Sequence, residues 1–219
     1  HGYFKKITPQ SLRMADTQKY KEDDGLRVSM EATNRAEVMF FTNRQQVYKC
    51  RLSDFEDTKA SVLGDYLPSK LGMEDGESVV DMVLPGDYSG AMLFFFENGK
   101  AARVELAAYA TTSNRRRLTG AYSGKSPLAA LIHLKEEREL VLFSTEPRAL
   151  IFHTALLAPK STRTTQGVQV MTLKPKYHLS EVKAPEETSI TNLPRYRCRA
   201  IPAAGALIRE EDGDQMRLL

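Results

Sequence analysis

The sequence predicts an all-β, propeller-like fold, and three observations carry that expectation. The string VYKCRL (Val47 to Leu52) returns as RYRCRA (Arg195 to Ala200), and these strings hold the only two cysteines, Cys50 and Cys198, in 219 residues. Their separation divides into three periods of about 49 residues, the scale of propeller blades. The chain also holds further copies of one pattern: a short apolar run rich in aromatics, a polar turn, a mixed strand, then a hydroxyl or acid ahead of an aromatic. Runs of four to eight such residues bounded by turn formers read as strands rather than helices.

In chain order, the first copy, GYFKKITPQSL (2–12), begins at its turn glycine, so its first strand is expected to lie outside this sequence. The second, EVMFFTNRQQVYKCRLSDF (37–55), turns at Asn43-Arg44-Gln45, and the third, GAMLFFFENGKAARVELAAY (90–109), at Glu97-Asn98-Gly99. The fourth, RELVLFSTEPRALIFHTALL (138–157), turns at Glu146-Pro147, and RYRCRA (within 194–201) is expected to be a terminal copy. Such turn residues start hairpins because they tolerate tight or left-handed backbone. Linkers such as ATTSNRRRLTGAYSGKSP and APKSTRTTQGVQ read as loops. LAALIHLKEERE has a short helical rhythm, with a strand over Ala129 to Leu134 as its alternative. Residues 1–205 form the expected β domain. Residues 206–219, with Glu210-Glu211-Asp212-Gly213-Asp214, form an acidic tail whose default is a solvated segment.

Composition bounds the rest. A mass of 24.6 kDa with 42% hydrophobic residues allows a sizeable core. A net charge of +3 is too small to identify a nucleic-acid binder from totals. Two cysteines make no disulfide framework and favour a reducing, cytoplasmic setting. No apolar run reaches the roughly 18 residues that span a bilayer, so no membrane partner is expected. The opening His1 suggests a piece of a longer polypeptide.

With the copies in register, the cysteine column reads Ile7, Cys50, Val104, Phe152 and Cys198, all apolar, so the cysteines read as small buried hydrophobes. The column before it reads Lys6, Lys49, Arg103, Ile151 and Arg197. The column after it adds Arg51 and Arg199, with Thr8, Glu105 and His153 elsewhere. Exposed strands carry Lys and Arg to block edge pairing, which is the plain explanation. One sign recurring at one column instead predicts a basic belt that holds a polyanion by its backbone. Arg115-Arg116-Arg117 with Lys125, and Lys160 with Arg163, extend it from loops after the second strands.

FFTNRQQVYKCRLSDF, LFFFENGKAARVELAAY, GYFKKI and RTTQGVQVMTLK together resemble the C-terminal domain of the A subunit of bacterial type IIA topoisomerases, over roughly Gly2 to Leu173. The resemblance implies a β-pinwheel, here of about four blades with an open ring as one outcome, that binds and bends duplex DNA at a basic rim. Lys5, Lys6, Lys49, Arg51, Arg103, Arg197 and Arg199 would be rim residues by position, while Ile151 and His153 depart from the pattern. Where gyrase carries a glutamine-arginine-glycine box, this chain reads RMADTQKYKEDDG (13–25), which favours a topoisomerase IV-like subunit. The resemblance further implies an upstream cleavage domain in the same chain and a B-type ATPase subunit. ATP and Mg2+ would act through those parts of an ATP-dependent parent enzyme, with no cofactor or catalytic residue in this chain. The alternative from another class is a propeller-like protein-interaction module without DNA binding.

Other chemistry is weaker. GAYSGKS (120–126) has three residues between its glycines where a phosphate-binding loop needs four, and GDYSG (86–90) is no nucleophile elbow. The four histidines have no ligand spacing. Arg195-Tyr196 resembles a cleavage dyad, but Tyr196 falls in the repeat column of Tyr48.

Overall fold

The computed structural model describes residues 2–14, 17–113 and 115–213. Its strands are β1 (Tyr3–Phe4), β2 (Glu37–Thr42), β3 (Gln46–Arg51), β4 (Asp65–Tyr66), β5 (Val79–Val83), β6 (Ala91–Phe96), β7 (Lys100–Glu105), β8 (Arg117–Thr119), β9 (Leu128–Leu134), β10 (Glu139–Ser144), β11 (Arg148–His153), β12 (Val168–Gln169), β13 (Leu179–Lys183) and β14 (Ala206–Leu207). Three hairpins, β2–β3, β6–β7 and β10–β11, fall where the apolar runs and turns placed them. Leu128–Leu134 is a strand, so the alternative reading of that stretch holds and the helical one does not.

The chain divides into two compact units. One runs up to Asp87 and adds Thr111–Ala121; the other comprises Tyr88–Ala110 and the chain from Tyr122 onward. In the first unit the sheets are β1–β4 and β5–β2–β3–β8; in the second they are β12–β7–β6–β9 and β13–β10–β11–β14. Every pairing between strands is antiparallel. In each four-stranded sheet the hairpin takes its third strand from the chain just after it and its fourth from beyond. β3 receives β8 only after the chain has made β6 and β7 in the other unit. β7 receives β12 from beyond the β10–β11 hairpin. This is strand exchange between repeats.

The first unit packs Val38, Phe40, Tyr48, Leu52, Phe55 and Leu67 into one cluster, with Phe4 edge-on to Phe40 at 5.6 Å between ring centroids. Burying side chains of this size contributes about 1.5–3 kcal/mol each. The second unit has one cluster around Leu93, Phe95, Leu142, Phe152 and Met171, and another around Val141, Ile151 and Tyr196.

Two expectations need correction. The terminal RYRCRA is not a hairpin copy: Leu193–Tyr196 is a short helical turn, and Arg197 makes a parallel bridge to Ile151. The Cys198 amide donates to the Ile151 carbonyl, as the Thr58 amide donates to that of Lys6. Arg197 therefore matches Asp57, a residue of the segment laid beside a second strand, and not Lys49 within one. Both places tuck a cysteine against the blade between two cations. The acidic run is also not simply solvated. Glu210–Asp212 is a 3-10 turn, and Asp212 is buried at 3% exposure beneath Tyr196. Asp214 lies outside the described residues.

Candidate nucleic-acid interface

The second strand of each hairpin is buried through its middle and ends exposed. In β3, Gln46, Val47 and Tyr48 are buried, Lys49 and Cys50 are half-buried, and Arg51 is exposed. The cation column thus sits at the boundary, where a long side chain reaches the rim only by passing other groups.

At that boundary the column residues are held by their own protein. Lys6 donates to the Leu52 carbonyl and the Asn34 side chain, both at 3.0 Å, lies 3.6 Å from Asp57, and its side chain is 15% exposed. Lys49, with a side chain 10% exposed, donates to the Thr111 hydroxyl at 3.2 Å and lies 3.9 Å from Glu37. Burial lowers the Lys49 pKa, and Glu37 opposes that shift. Arg103 clasps Glu137 through both terminal nitrogens, at 2.7 and 3.1 Å, and donates to the carbonyls of Thr154 and Leu157. Glu137 is held below the usual carboxylate range, first by the Arg103 hydrogen bonds and then by that from Thr154. Ile151 fills the column in the next hairpin and is buried, while Arg197 pairs with Glu139 at 2.7 Å.

The acceptors share a theme. Lys6 reaches the 3-10 turn Leu52–Asp54 and Arg103 the turn Thr154–Leu156, each turn following the second strand of the next hairpin. The conspicuous column is therefore largely a set of latches between successive repeats. Their carboxylate partners Glu37, Asp57, Glu137 and Glu139 escaped the sequence reading. Glu37 and Glu139 open the first strands of their hairpins, which is the signal that could have found them.

The other predicted cations divide the same way. Lys5 donates to Gln18 and to the Ala60 carbonyl, with its pKa lowered by burial, and Arg163 donates to the Ala108 carbonyl. The Arg117 charge acts on the Tyr48 phenol and on Glu77. By contrast, Arg51, Arg115, Arg116, Lys125, Lys160 and Arg199 are exposed, and their side chains make no hydrogen bond or ion pair among the described residues. Lys160 and Arg199 ride in or next to the segments bridged alongside second strands. Arg51 and Arg116 flank Cys50, whose thiol is pushed up to about 11, mainly by burial. That leaves the cysteine a protonated filler rather than a nucleophile.

A polar node that no sequence motif singles out centres on Glu77. Glu77, 5% exposed, accepts from Thr42 and Gln46 at 2.8 Å, from Tyr48 at 2.7 Å and from the Glu74 amide at 3.1 Å. Burial pushes its pKa up, but these bonds and the Arg117 charge outweigh it, so Glu77 lies below the usual range. Tyr48 is pushed up to about 12 by burial and by Glu77.

Among the described residues no group of three or more His, Cys, Asp or Glu could hold a metal ion, and no helix is long and apolar enough to cross a membrane. What the surface offers is a set of separated cations, Arg51 at the end of β3 and the others in loops, bends and bridged segments.

No protein-family model matches this sequence, and no curated protein sequence matches it. Solved structures do. The C-terminal domain of DNA topoisomerase IV aligns with a TM-score of 0.73 and 22% identity, over 83% of this chain and 58% of that one. The C-terminal domain of DNA gyrase A aligns at 0.58 and 14%, over 97% and 77%. The C-terminal domain of ParC from E. coli aligns at 0.65 and 15%, over 90% and 87%. This chain thus spans little more than half of the first of these. Its sheets, hairpins and exchanged strands have the β-pinwheel fold of the C-terminal domains of topoisomerase IV and gyrase A.

Proposed function

We propose that this chain binds duplex DNA through its phosphates and favours a bend in it, as an accessory domain of a topoisomerase IV-like A subunit. The observation that carries the reading is the sorting of cations on a pinwheel scaffold: six of the thirteen predicted contact residues are exposed and their side chains make no hydrogen bond or ion pair among the described residues. Arg and Lys that neutralise phosphates release condensed counterions, so affinity falls steeply with salt while base sequence matters little. In this reading the upstream cleavage domain and a B-type ATPase subunit supply strand passage with ATP and Mg2+, in the bacterial cytoplasm, and this chain captures segments at a suitable angle.

The test is fluorescence anisotropy with a duplex of about 40 base pairs across a salt series, where each phosphate contact adds about 0.9 to the log–log slope. The triple variant R51A/K160A/R199A lowers the slope by about 2.7, while R103M, which removes a latch, leaves it within about 0.5 of the parent. A parent chain that does not bind at low salt refutes the reading and leaves a protein-interaction module in its place.

A further inference from the structure

The exchanged fourth strands follow one rule with one exception. In β4, Asp65 lies opposite Phe4; in β12, Val168 lies opposite Ala101; in β14, Ala206 lies opposite Ala149. The residue just before each is a glycine with left-handed backbone: Gly64 at φ +85°, Gly167 at +74° and Gly205 at +69°. A Cβ at these places would lie 2.3, 2.0 and 2.3 Å from the carbonyl oxygens of Phe4, Ala101 and Ala149. Only glycine fits this approach, and there the fourth strand begins abruptly.

In the β5–β2–β3–β8 sheet the equivalent opposition is Leu118 to Val47, and the slot holds Arg117. Arg117 is not among the residues with positive φ; it continues the ladder opposite Tyr48. The ladder then runs further still, because the Lys49 amide donates to the Arg116 carbonyl at 2.6 Å. Arg117 therefore opens a strand hydrogen-bonded to the blade, Arg116 is a bend tied to that strand's partner through its carbonyl, and Arg115 precedes it outside the strand.

We propose that Arg115 and Arg116 form a phosphate-binding segment, and that arginine in place of the slot glycine at 117 is what extends the ladder and presents these two cations. This rests on the reading of the chain as a DNA-binding domain and names two of the groups that hold the phosphates. Arg117 is the positioning residue: it opens β8 opposite Tyr48, its charge acts on Tyr48 and Glu77, and its backbone carries the Arg116 carbonyl to the Lys49 amide. Arg115 and Arg116 make no side-chain hydrogen bond or ion pair among the described residues and stay available to the phosphates. A segment tied to a strand loses less conformational freedom on binding than a flexible basic loop would.

The experiment separates charge from conformation. In the salt series, R115A and R116A each lower the slope by about 0.9, one contact apiece, while R117A stays within about 0.5 of the parent. R117G puts in the residue found in the other three slots, lets the ladder end at Leu118, and lowers the slope by about 1.8, although it keeps both contact charges. R117K keeps both charge and ladder and stays within about 0.5 of the parent. Hydrogen exchange of the Lys49 amide gives a second readout: protected in the parent, R117A and R117K, and fast in R117G. If R117G costs no more than R117A, or if the Lys49 amide exchanges freely in the parent, the strand proposal is overturned while the DNA reading stands. If the parent does not bind duplex at low salt, the DNA reading itself fails. Should R117G not fold, the parent's Lys49 protection and the R115A and R116A slopes still decide the matter.

Discussion

Replacing Asp212 by asparagine tests the claim that the acidic run is an anchor. Asp212 accepts from the Thr191 amide at 2.8 Å, the Thr191 hydroxyl at 3.0 Å, the Asn192 amide at 3.4 Å and the Tyr196 phenol at 2.7 Å. The Thr191 amide is the largest cause, and together these donors hold its carboxyl at about 2, against 3.8 for a free aspartate. A carboxylate depressed by folding stabilises the folded state fully above its unfolded pKa, and this is lost as pH falls through the folded one. Here the window runs from 3.8 down to about 2, and the contribution at pH 7 is about 2 kcal/mol. Asp212→Asn keeps the size but offers one oxygen where the carboxylate offered two, next to a phenol buried at 1% exposure. Urea unfolding followed by far-ultraviolet circular dichroism is expected to show the variant less stable by about 2 kcal/mol at neutral pH, with the gap closing below about pH 2. Equal urea midpoints at neutral pH, or a gap unchanged by acid, would refute the anchoring argument.

Two further outcomes follow from the latches and the glycine slot. Arg103→Met takes the guanidinium from the Glu137 carboxylate, which keeps the Thr154 hydroxyl, and from two carbonyls, and is expected to destabilise by about 1–3 kcal/mol in urea unfolding. Gly167→Ala forces a Cβ to within 2.0 Å of the Ala101 carbonyl oxygen at a left-handed φ, which β12 can relieve only by leaving β7. Its expected cost is about 2 kcal/mol or more in thermal unfolding, with loss of amide protection along Lys100–Ala102.

The hairpins were legible because their information is local. VMFF, AMLFFF and LVLF are apolar runs bounded by turn residues, and β2, β6 and β10 form there. The exchanged strands were not: β8, β12 and β14 are two or three residues long, and their partners lie 57 or more residues away. The cation column sits at the right positions through Lys6, Lys49 and Arg103, but its chemistry depends on Asp57 and Glu137, which come close only when the repeats dock, and on Glu37, which the β2–β3 hairpin brings beside Lys49. The string around Cys198 misled because similar residues were taken for the same structural place; the hydrogen bond from its amide to Ile151 settles the register.

Strand exchange makes the order of synthesis matter. The β2–β3 hairpin can form as soon as it is made, but its sheet stays incomplete until Thr119 has emerged, after the β6–β7 hairpin. The β6–β7 hairpin waits in turn for Gln169. During growth from the ribosome, each hairpin therefore exposes the open edge of its second strand while the next one is translated, and only the arrival of a distant short strand covers it. A deletion that respects the repeat boundaries removes one hairpin and also the covering strand of its predecessor. Repeats in such a chain are gained or lost cleanly only when the cut is displaced to include the exchanged segment.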